Sequence, residues 1–352
     1  MDKITKDNFI TDNKINKVFI SSYIDKTSGD LDLITSKELL KKLKELFPSL
    51  EILYNTRDVW CRDYMPIQLT EDTFLNYRYY PDYLTSDYPD CITDWKEHKV
   101  KTKSQLIEET LPKIIDIPLI LDGGNIIKAV INDKPSIILC DKVLKENQIS
   151  KDDFLKWWDE WWKENFDGTE MQCFLIPWEG KEDNPIGHAD GILRYLGAGK
   201  LLMTNYADLD KEDAISKGLH YNPNSSDNTC NKILDSLKEQ GIERENIIEL
   251  SYNDILDKEY KKDSQLKDIF KHSWSYINFL QVGKQIFIPE LGYPELDKEA
   301  LEQITDAFKS VGENFEVKPI GINMLPIIAG NGHNNSGGAL NCLTWTIKHI
   351  SK

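Results

Sequence analysis

Five stretches of the chain carry apolar residues at helical spacing, and each is followed by a short apolar run of the kind that forms a strand. Apolar residues three and four positions apart predict a helix with one buried face. The predicted helices cover residues 35–47, 104–111, 150–166, 228–241 and 297–312. The strands predicted to follow them cover residues 51–54, 117–124, 173–177, 246–250 and 315–320. Five helix-to-strand units predict an α/β fold with an internal fivefold repeat.

Capping signals support the boundaries of these helices. Ser36 stands before the apolar positions of the first helix and is predicted to cap it. Ser150 and Asp153 have the spacing of a capping box at the start of the third helix. Gly241 and Gly312 follow the fourth and fifth helices, where the left-handed conformation that glycine tolerates favours helix termination.

The third predicted helix has an aromatic face formed by Phe154, Trp157, Trp158, Trp161 and Trp162. An aromatic stripe at helical spacing is typical of a core or of an interface between subunits. The stripe therefore leaves a homo-oligomer open, and we assign it no chemistry.

Composition and charge limit the classes of partner. The chain has 352 residues, and no Pro- or Gly-rich linker divides it, so we expect a single domain over residues 1–352. It contains 43 Lys and Arg against 59 Asp and Glu, a formal net charge of −16. A chain this acidic lacks the cationic excess that binds nucleic acid or an anionic membrane. The same charge favours the approach of a cationic ligand.

Neither a targeting segment nor a cysteine motif is evident. The first 13 residues are polar, and no apolar run is long enough to span a membrane. The six cysteines, at positions 61, 91, 140, 173, 230 and 342, form no CxxC pair. Reduced thiols are the simplest explanation, which predicts a cytoplasmic protein without a zinc ribbon or a thioredoxin-type site.

Four short segments combine ionisable residues with glycine or other turn residues near predicted strands. They are WCRDYMP at 60–66, LDGGN at 121–125, GHADG at 187–191 and GNGHNNSGGALNC at 330–342. Glycine-rich turns at strand ends allow the backbone to approach a ligand closely. Each segment alone also has a structural explanation: an Arg–Asp ion pair, a tight turn, a buried imidazole or a small core thiol.

Together, the four segments supply a thiol, a histidine and several carboxylates, which favours covalent catalysis by cysteine over metal-dependent hydrolysis. Carboxylates raise the pKa of a neighbouring thiol and repel a developing oxyanion, so they are unfavourable in an ordinary protease. They become useful when the substrate is a cation. Two aspartates can bind a planar guanidinium through paired hydrogen bonds, and the bound cation then favours the thiolate.

The four segments, in this order, resemble the agmatine deiminase and bacterial peptidylarginine deiminase family of the guanidine-modifying superfamily. The resemblance covers about residues 15–350. It implies a five-bladed α/β propeller with pseudo-fivefold symmetry, the pentein fold, which would also explain the five helix-to-strand units. It implies a hydrolase acting on a small cationic guanidino substrate, most simply agmatine in putrescine biosynthesis, with no metal and no organic cofactor.

The resemblance also implies roles for particular residues. Cys342 corresponds to the nucleophile that attacks the guanidinium carbon. His188 corresponds to the general acid that protonates departing ammonia and then to the base that activates water. Asp122 takes the place of an acidic residue that orients the histidine or the substrate.

The remaining implied roles concern substrate binding. Asp63 and Asp190 correspond to the carboxylates that hold the guanidinium nitrogens. Trp60 corresponds to an aromatic wall beside the guanidinium, and Asn278, in SYINF, to a pocket residue on the fourth blade. The product would be a ureido compound and ammonia, formed through a covalent thiouronium on the cysteine.

Three positions depart from the pattern of the family. Asp122 is one methylene shorter than the usual Glu, Met65 replaces a Gly, and Asn341 replaces the His before the nucleophile. All three are expected on the substrate side, so the identity of the guanidino compound stays open.

The residues also leave other functions open. An amidinotransferase, or a deiminase of arginine or peptidylarginine, would use the same groups, because an acceptor amine in place of water converts hydrolysis into transfer. A guanidine- or polyamine-binding protein without turnover would have no need of the Cys342–His188 pair. A metal-dependent hydrolase would draw its ligands from His188, Asp190, Asp122 and His333.

Overall fold

Fifteen strands form five three-stranded sheets in the part of the chain that the computed structural model describes, which is residues 1–25, 31–82, 113–178, 187–253, 255, 264–312, 314–330 and 338–349. In chain order they are β1 (Lys17–Ser21), β2 (Glu51–Leu53), β3 (Ile67–Gln68), β4 (Thr73–Arg78), β5 (Lys113–Ile120), β6 (Ile127–Ile131), β7 (Lys134–Cys140), β8 (Gln172–Ile176), β9 (Leu193–Gly197), β10 (Lys200–Met203), β11 (Ile247–Glu249), β12 (Leu280–Val282), β13 (Gln285–Glu290), β14 (Glu316–Asn323) and β15 (Thr344–Ile347). The strand orders are β15-β1-β2, β3-β4-β5, β6-β7-β8, β9-β10-β11 and β12-β13-β14.

All five sheets are built in the same way. The first two strands of each sheet pair antiparallel, and the third strand pairs parallel with the middle one. A parallel pair needs a crossover connection, which in these sheets contains a helix wherever the connection is described. The five strands predicted from the sequence are the third strands, β2, β5, β8, β11 and β14.

Ten α-helices or helical turns connect the strands of the described chain. They are α1 (Leu33–Leu46), α2 (Cys61–Tyr64), α3 (Lys142–Glu146), α4 (Lys151–Asn165), α5 (Tyr206–Ser216), α6 (Thr229–Glu239), α7 (Ser264–Phe270), α8 (Pro294–Lys309), α9 (Leu325–Ile328) and α10 (Leu340–Leu343). Helices α1, α4, α6 and α8 confirm four of the five predicted helices. The predicted helix over 104–111 lies outside the described residues.

The two ends of the chain meet in the first sheet. Strand β15 pairs antiparallel with β1, so that Phe19 lies opposite Trp345. The ring centroids of these two residues are 4.8 Å apart, and the indole Nε1 of Trp345 donates to the carbonyl oxygen of Pro66, 2.9 Å away. This pairing closes the five sheets into a ring, as expected for the five-bladed α/β propeller.

Capping predictions hold at three helices and are wrong at one. Ser150 accepts a hydrogen bond from the backbone N–H of Asp153, and Gly241 and Gly312 have left-handed φ values of 88° and 77°. The predicted cap at Ser36 is wrong, because α1 already begins at Leu33, three residues before Ser36. Its cap is Asp32, whose carboxylate accepts the backbone N–H of Thr35 at 2.7 Å, which leaves Ser36 inside the first turn.

The predicted strand over 117–124 is wrong at its C-terminal end. Strand β5 begins at Lys113 and ends at Ile120, and Gly123–Asn125 forms a 3₁₀ turn. Consecutive glycines favour a turn over extended structure, and in this chain the turn carries a candidate site residue.

Buried apolar side chains lie between the sheets and their helices. In α4, Phe154, Trp158 and Trp162 are buried, while Trp157 and Trp161 are half-buried on the outer side. The aromatic stripe therefore serves mainly as core. No helix within the described residues is long and apolar enough to cross a membrane.

Candidate active site

A short helical turn stands directly before the first strand of each sheet in the ring. The five turns are Cys61–Tyr64, Gly123–Asn125, Ala189–Gly191, Ser273–Ile277 and Leu340–Leu343. The candidate residues on these turns, or one position outside them, are Asp63, Asp122, His188, Asp190, Asn278 and Cys342. Equivalent positions in a ring of repeats face the same axis, so the repeat itself brings these side chains toward one another.

His188 lies between two carboxylates that come from two other sheets. Its Nε2 is 2.9 Å from Oδ2 of Asp122, and its Nδ1 is 3.6 Å from Oδ1 of Asp63. The backbone N–H of Gly124 donates to the same Asp63 oxygen at 3.0 Å. A side chain on Gly124 would collide with both neighbours, since its Cβ would lie 2.6 Å from His188 and 2.7 Å from Asp63.

Burial and charge shift the pKa values of all three groups. Burial lowers the pKa of His188, but Asp63 and Asp122 outweigh it and raise that pKa to about 8. Burial, with additions from Asp122 and Asp190, raises the pKa of Asp63 to about 7, although His188 opposes the rise. Burial would also raise the pKa of Asp122, but Lys142 and His188 hold it below the usual value. The imidazole is therefore held as a cation that remains within reach of neutral pH.

Cys342 belongs to a second group of contacts. Its Sγ lies 3.3 Å from Oδ2 of Asp190 and 3.2 Å from Nδ2 of Asn278. The side-chain amide of Asn341 donates to the same Asp190 oxygen at 2.6 Å. The amide of Asn278 also approaches the backbone carbonyl oxygen of Asp190, 3.4 Å away.

Asn278 holds the turn that carries the cysteine. Its side-chain oxygen accepts the backbone N–H groups of Ala339, Asn341 and Cys342 at 3.1, 3.1 and 3.3 Å. The first amides of a helical turn have no partner within the turn and need an acceptor of this kind. The side chain that directly follows the turn Ser273–Ile277 thus fixes the orientation of the thiol in the turn Leu340–Leu343.

The electrostatic environment keeps Cys342 protonated in the free protein. Burial raises the pKa of its thiol well above the usual value, and Asp190 and Asp63 raise it further, while the Asn278 hydrogen bond opposes them. Asp63 and Asp190 thus act on one another and on the thiol, which links the two groups of contacts. A cation bound between these carboxylates would reverse their effect on the sulfur.

Tryptophans from two sheets pack against glycines beside the candidate residues. A Cβ on Gly338 would lie 2.5 Å from Trp60 and 2.9 Å from the Cβ of Cys342. A Cβ on Gly187, next to His188, would lie 2.7 Å from the indole of Trp178. Both rings are half-buried, so each presents an apolar surface near the polar groups.

Sequence reasoning missed a charged pair behind Asp122. Lys142 Nζ is 3.1 Å from Oδ2 of Asp122 and 3.0 Å from Glu146 Oε1, and its side chain has 0% exposure. A Lys followed by Glu four positions later is typical of a solvated helix surface, so the sequence carries no signal for this burial. Asn341 was noticed as a departure, but nothing in the sequence predicted its contact with Asp190.

One expectation about the departures is wrong. Met65 is 1% exposed and packs in an apolar core with Tyr64 and Tyr77, not on the substrate side. Its backbone carbonyl oxygen accepts the Tyr77 hydroxyl at 2.9 Å. An unbranched side chain suits a core position of this kind.

Within the described residues, no group of three or more His, Cys, Asp or Glu side chains is arranged to hold a metal ion. His333, one of the four residues considered as metal ligands, lies outside the described part of the chain.

Comparisons with known proteins give one family. The sequence profile of the Porphyromonas-type peptidyl-arginine deiminase family matches residues 19–347. A search of curated protein sequences gives no match to this chain.

Solved structures share the fold at low sequence identity. An agmatine deiminase of Enterococcus faecalis is 13% identical, with a TM-score of 0.62, over 99% of this chain and 98% of that one. The agmatine deiminase of C. jejuni is 14% identical, with a TM-score of 0.60, over 96% and 95% of the two chains. The N-terminal domain of ArgZ, a cyanobacterial arginine dihydrolase, is 13% identical, with a TM-score of 0.51, over 94% and 97%. These likenesses confirm the pentein fold.

Proposed function

We propose that this chain, which belongs to the Porphyromonas-type peptidyl-arginine deiminase family, hydrolyses agmatine to N-carbamoylputrescine and ammonia through a covalent intermediate on Cys342. Membership of the family gives the coarser class, a guanidino-group deiminase of the pentein superfamily. The residue roles and the substrate are the proposal. The observation that carries it is a buried thiol 3.3 Å from a carboxylate, beside further buried carboxylates.

A guanidinium fits this distribution of charge. Asp63, Asp122 and Asp190 are 4%, 1% and 3% exposed, so their charges are expensive to bury without a cation. The planar guanidinium offers paired N–H donors that match two carboxylates, and we assign that grip to Asp63 and Asp190. The half-buried ring of Trp60, beside Cys342, can cover the face of the planar cation.

In the first half of the proposed reaction, sulfur attacks the guanidino carbon. The bound cation lowers the pKa of the Cys342 thiol, whose proton passes to solvent, and a carbon–sulfur bond forms. His188 donates its proton to a terminal nitrogen, the bond from that nitrogen to the carbon breaks, and ammonia leaves. A thiouronium cation remains on the sulfur, and His188 is neutral.

In the second half, water replaces ammonia. Neutral His188 accepts one proton from the water as its oxygen bonds to the thiouronium carbon. The carbon–sulfur bond then breaks, the ureido product forms, and the remaining proton returns the sulfur to a thiol. The cycle ends with His188 protonated again, so one imidazole serves as acid and then as base.

The direct test is a substrate panel. The protein is incubated with agmatine, arginine, a peptidyl arginine and simple guanidines, and both ammonia and the ureido product are measured. We expect ammonia and ureido product in equal amounts from agmatine, with Cys342→Ala inactive and Cys173→Ala, at a half-buried thiol in β8, unaffected. Turnover of arginine or a peptidyl arginine alone would move the assignment to those substrates. No product from any of the compounds would contradict the proposal.

A further inference from the structure

Four charged groups form a row that leads away from the imidazole into the protein. His188 Nε2 and Lys142 Nζ both approach one oxygen of Asp122, Oδ2, at 2.9 and 3.1 Å. Lys142 is in turn 3.0 Å from Glu146. Among the described residues, the other oxygen of Asp122 has no hydrogen-bond partner. The single oxygen Oδ2 therefore divides its charge between a histidine and a lysine.

Lys142 is enclosed by acidic groups. Its side chain has 0% exposure, and those of Asp122 and Glu146 have 1% and 3%. Asp82, 44% exposed, lies 3.6 Å from the ammonium. A lysine is rarely buried this completely unless it compensates buried carboxylates. Its place at the start of α3, directly after β7, brings the ammonium behind the turn that carries Asp122.

The proposed reaction places a conflicting demand on His188. The imidazole has to donate a proton in the first half and accept one in the second. Asp63 and Asp122 both favour its charged form, and a cation held between two buried carboxylates resists giving up its proton. If His188 were the sole compensation for Asp122, neutral His188 would leave a buried carboxylate unpaired. Lys142 supplies a second, permanent compensation for the same oxygen.

We propose that Lys142 is a positioning residue that shares the charge of Asp122 and so allows His188 to lose and regain its proton during the cycle. Glu146 acts in the opposite sense, because it draws part of the lysine's charge away from Asp122. The part played in the cycle rests on the proposed function, whereas the ion-pair geometry does not. The pKa shifts are consistent with this role, because Lys142 lowers both the pKa of Asp122 and the pKa of His188. Burial and Asp122 raise that of Glu146 to about 7, against the effect of Lys142.

The first measurement needs no substrate. The pKa of His188 is followed by NMR of histidine-labelled protein, with the resonance identified by its loss in His188→Gln. We expect Lys142→Met to raise this pKa by about one unit or more, since a cation that opposes protonation of the imidazole is gone. Glu146→Gln should lower it, since a carboxylate is removed. Lys145→Met is the matched control, because Lys145 lies on the same helix, is 71% exposed, and should leave the pKa unchanged.

Among the described residues, Asp63 and Asp122, which contact His188, stay the same in all of these variants, as does Asp190, two positions along the chain. A fall in the His188 pKa in Lys142→Met, or no change, would overturn the proposal, because it would mean that Asp122 takes up a proton once the lysine is absent. If Lys142→Met does not fold, the sign of the shift in Glu146→Gln decides. A rise or no change there would overturn it.

The second measurement addresses the cycle itself. In Lys142→Met, the first half should slow more than the second, because His188 gives up its proton there, so the fraction of Cys342 that carries the intermediate at steady state should fall. The pH needed for half-maximal turnover should move upward with the His188 pKa. Turnover that falls while the intermediate accumulates would overturn the role in the cycle. An expected pKa shift in protein that turns over no guanidino compound would contradict the proposed function and leave the charge sharing supported.

Discussion

When no substrate is present, the environment of Cys342 does not suit the nucleophilic role that we propose for it. Burial, Asp190 and Asp63 all raise the pKa of its thiol. The same two carboxylates are the ones that a guanidinium would neutralise. At the scale of single residues, the proposed mechanism therefore makes Cys342 reactive only when a cation is bound.

A variant of Asp190 tests two roles at once. This carboxylate is proposed to bind the cation, and it also raises the pKa of the Cys342 thiol. We expect Asp190→Asn to lower turnover by at least about a hundredfold through the loss of a charge-assisted contact. The same change should make Cys342 alkylate faster in the ligand-free protein, since a negative neighbour is removed from the thiol.

Both results come from one set of samples, assayed for turnover and then mapped by mass spectrometry after alkylation at several pH values. Asp159→Asn, at a half-exposed position on α4, is the control for a general effect of charge. Slower alkylation of Cys342 in Asp190→Asn, or normal turnover, would contradict the roles given to this carboxylate.

Some of the site could be predicted at this scale and some could not. The motif residues Asp63, Asp122, His188 and Cys342 could be singled out because they stand in short segments that combine ionisable residues with glycine or other turn residues. Lys142 did not, because a lysine in a short polar helix looks the same whether it is solvated or buried. Its burial depends on how two neighbouring connections pack, which is a property of the folded chain.

At the scale of elements, the functional unit is the short helical turn that enters each sheet. These turns are too short to be stable alone, so they depend on contacts with other turns. Gly124 is the clearest instance, because its backbone N–H holds Asp63 while its missing side chain makes room for His188. The turns also explain why β5 ends before the predicted boundary.

Gly124→Ala should therefore abolish most of the activity without unfolding the protein. Its Cβ would lie 2.6 Å from His188 and 2.7 Å from Asp63, so at least one of these side chains has to move. We expect a loss of activity of about a hundredfold, with a stability cost of about 1–3 kcal/mol from overpacking.

Gly191→Ala is the matched control, in the equivalent turn of the fourth sheet. There the nearest atoms to a new Cβ, in the ring of Trp274, are 3.5 Å away, which is an ordinary contact. Activity assays and thermal unfolding of both variants make the comparison. Equal losses in the two variants would show that any added methyl group in these turns is harmful and that the close contact at Gly124 has no special importance.

The sequence predicted the third strand of every sheet but not the hairpins that precede them. The third strands follow amphipathic helices, which give a clear periodic signal. Strands β3 and β4 are joined by a loop without a strong turn signature, so their pairing becomes evident only in the folded chain. Strands β6 and β7, by contrast, are joined by Asn132 and Asp133 at positive φ, which is a recognisable two-residue turn. The cap at Asp32 was missed because Asp32 and Ser36, four positions apart, are equally good candidates by residue type.

At the scale of the whole molecule, the ring lets short contacts link residues that are far apart in the sequence. Cys342 reaches Asp190 across 152 positions because the C-terminal strand returns to pair with β1. The net charge of −16 complements this arrangement, since an acidic protein attracts the cation that its site is proposed to bind. The fivefold repeat was predictable from the five helix-to-strand units, whereas the convergence of the turns required the ring.

The central claim is that Cys342 carries the substrate carbon during turnover. The most direct measurement is mass mapping of protein quenched during turnover of the guanidino compound that releases ammonia. We expect the Cys342 peptide to gain the mass of the substrate minus ammonia, with a larger fraction modified in a His188 variant that slows hydrolysis more than attack. An adduct on another cysteine, or turnover that persists in Cys342→Ala, would contradict the assignment.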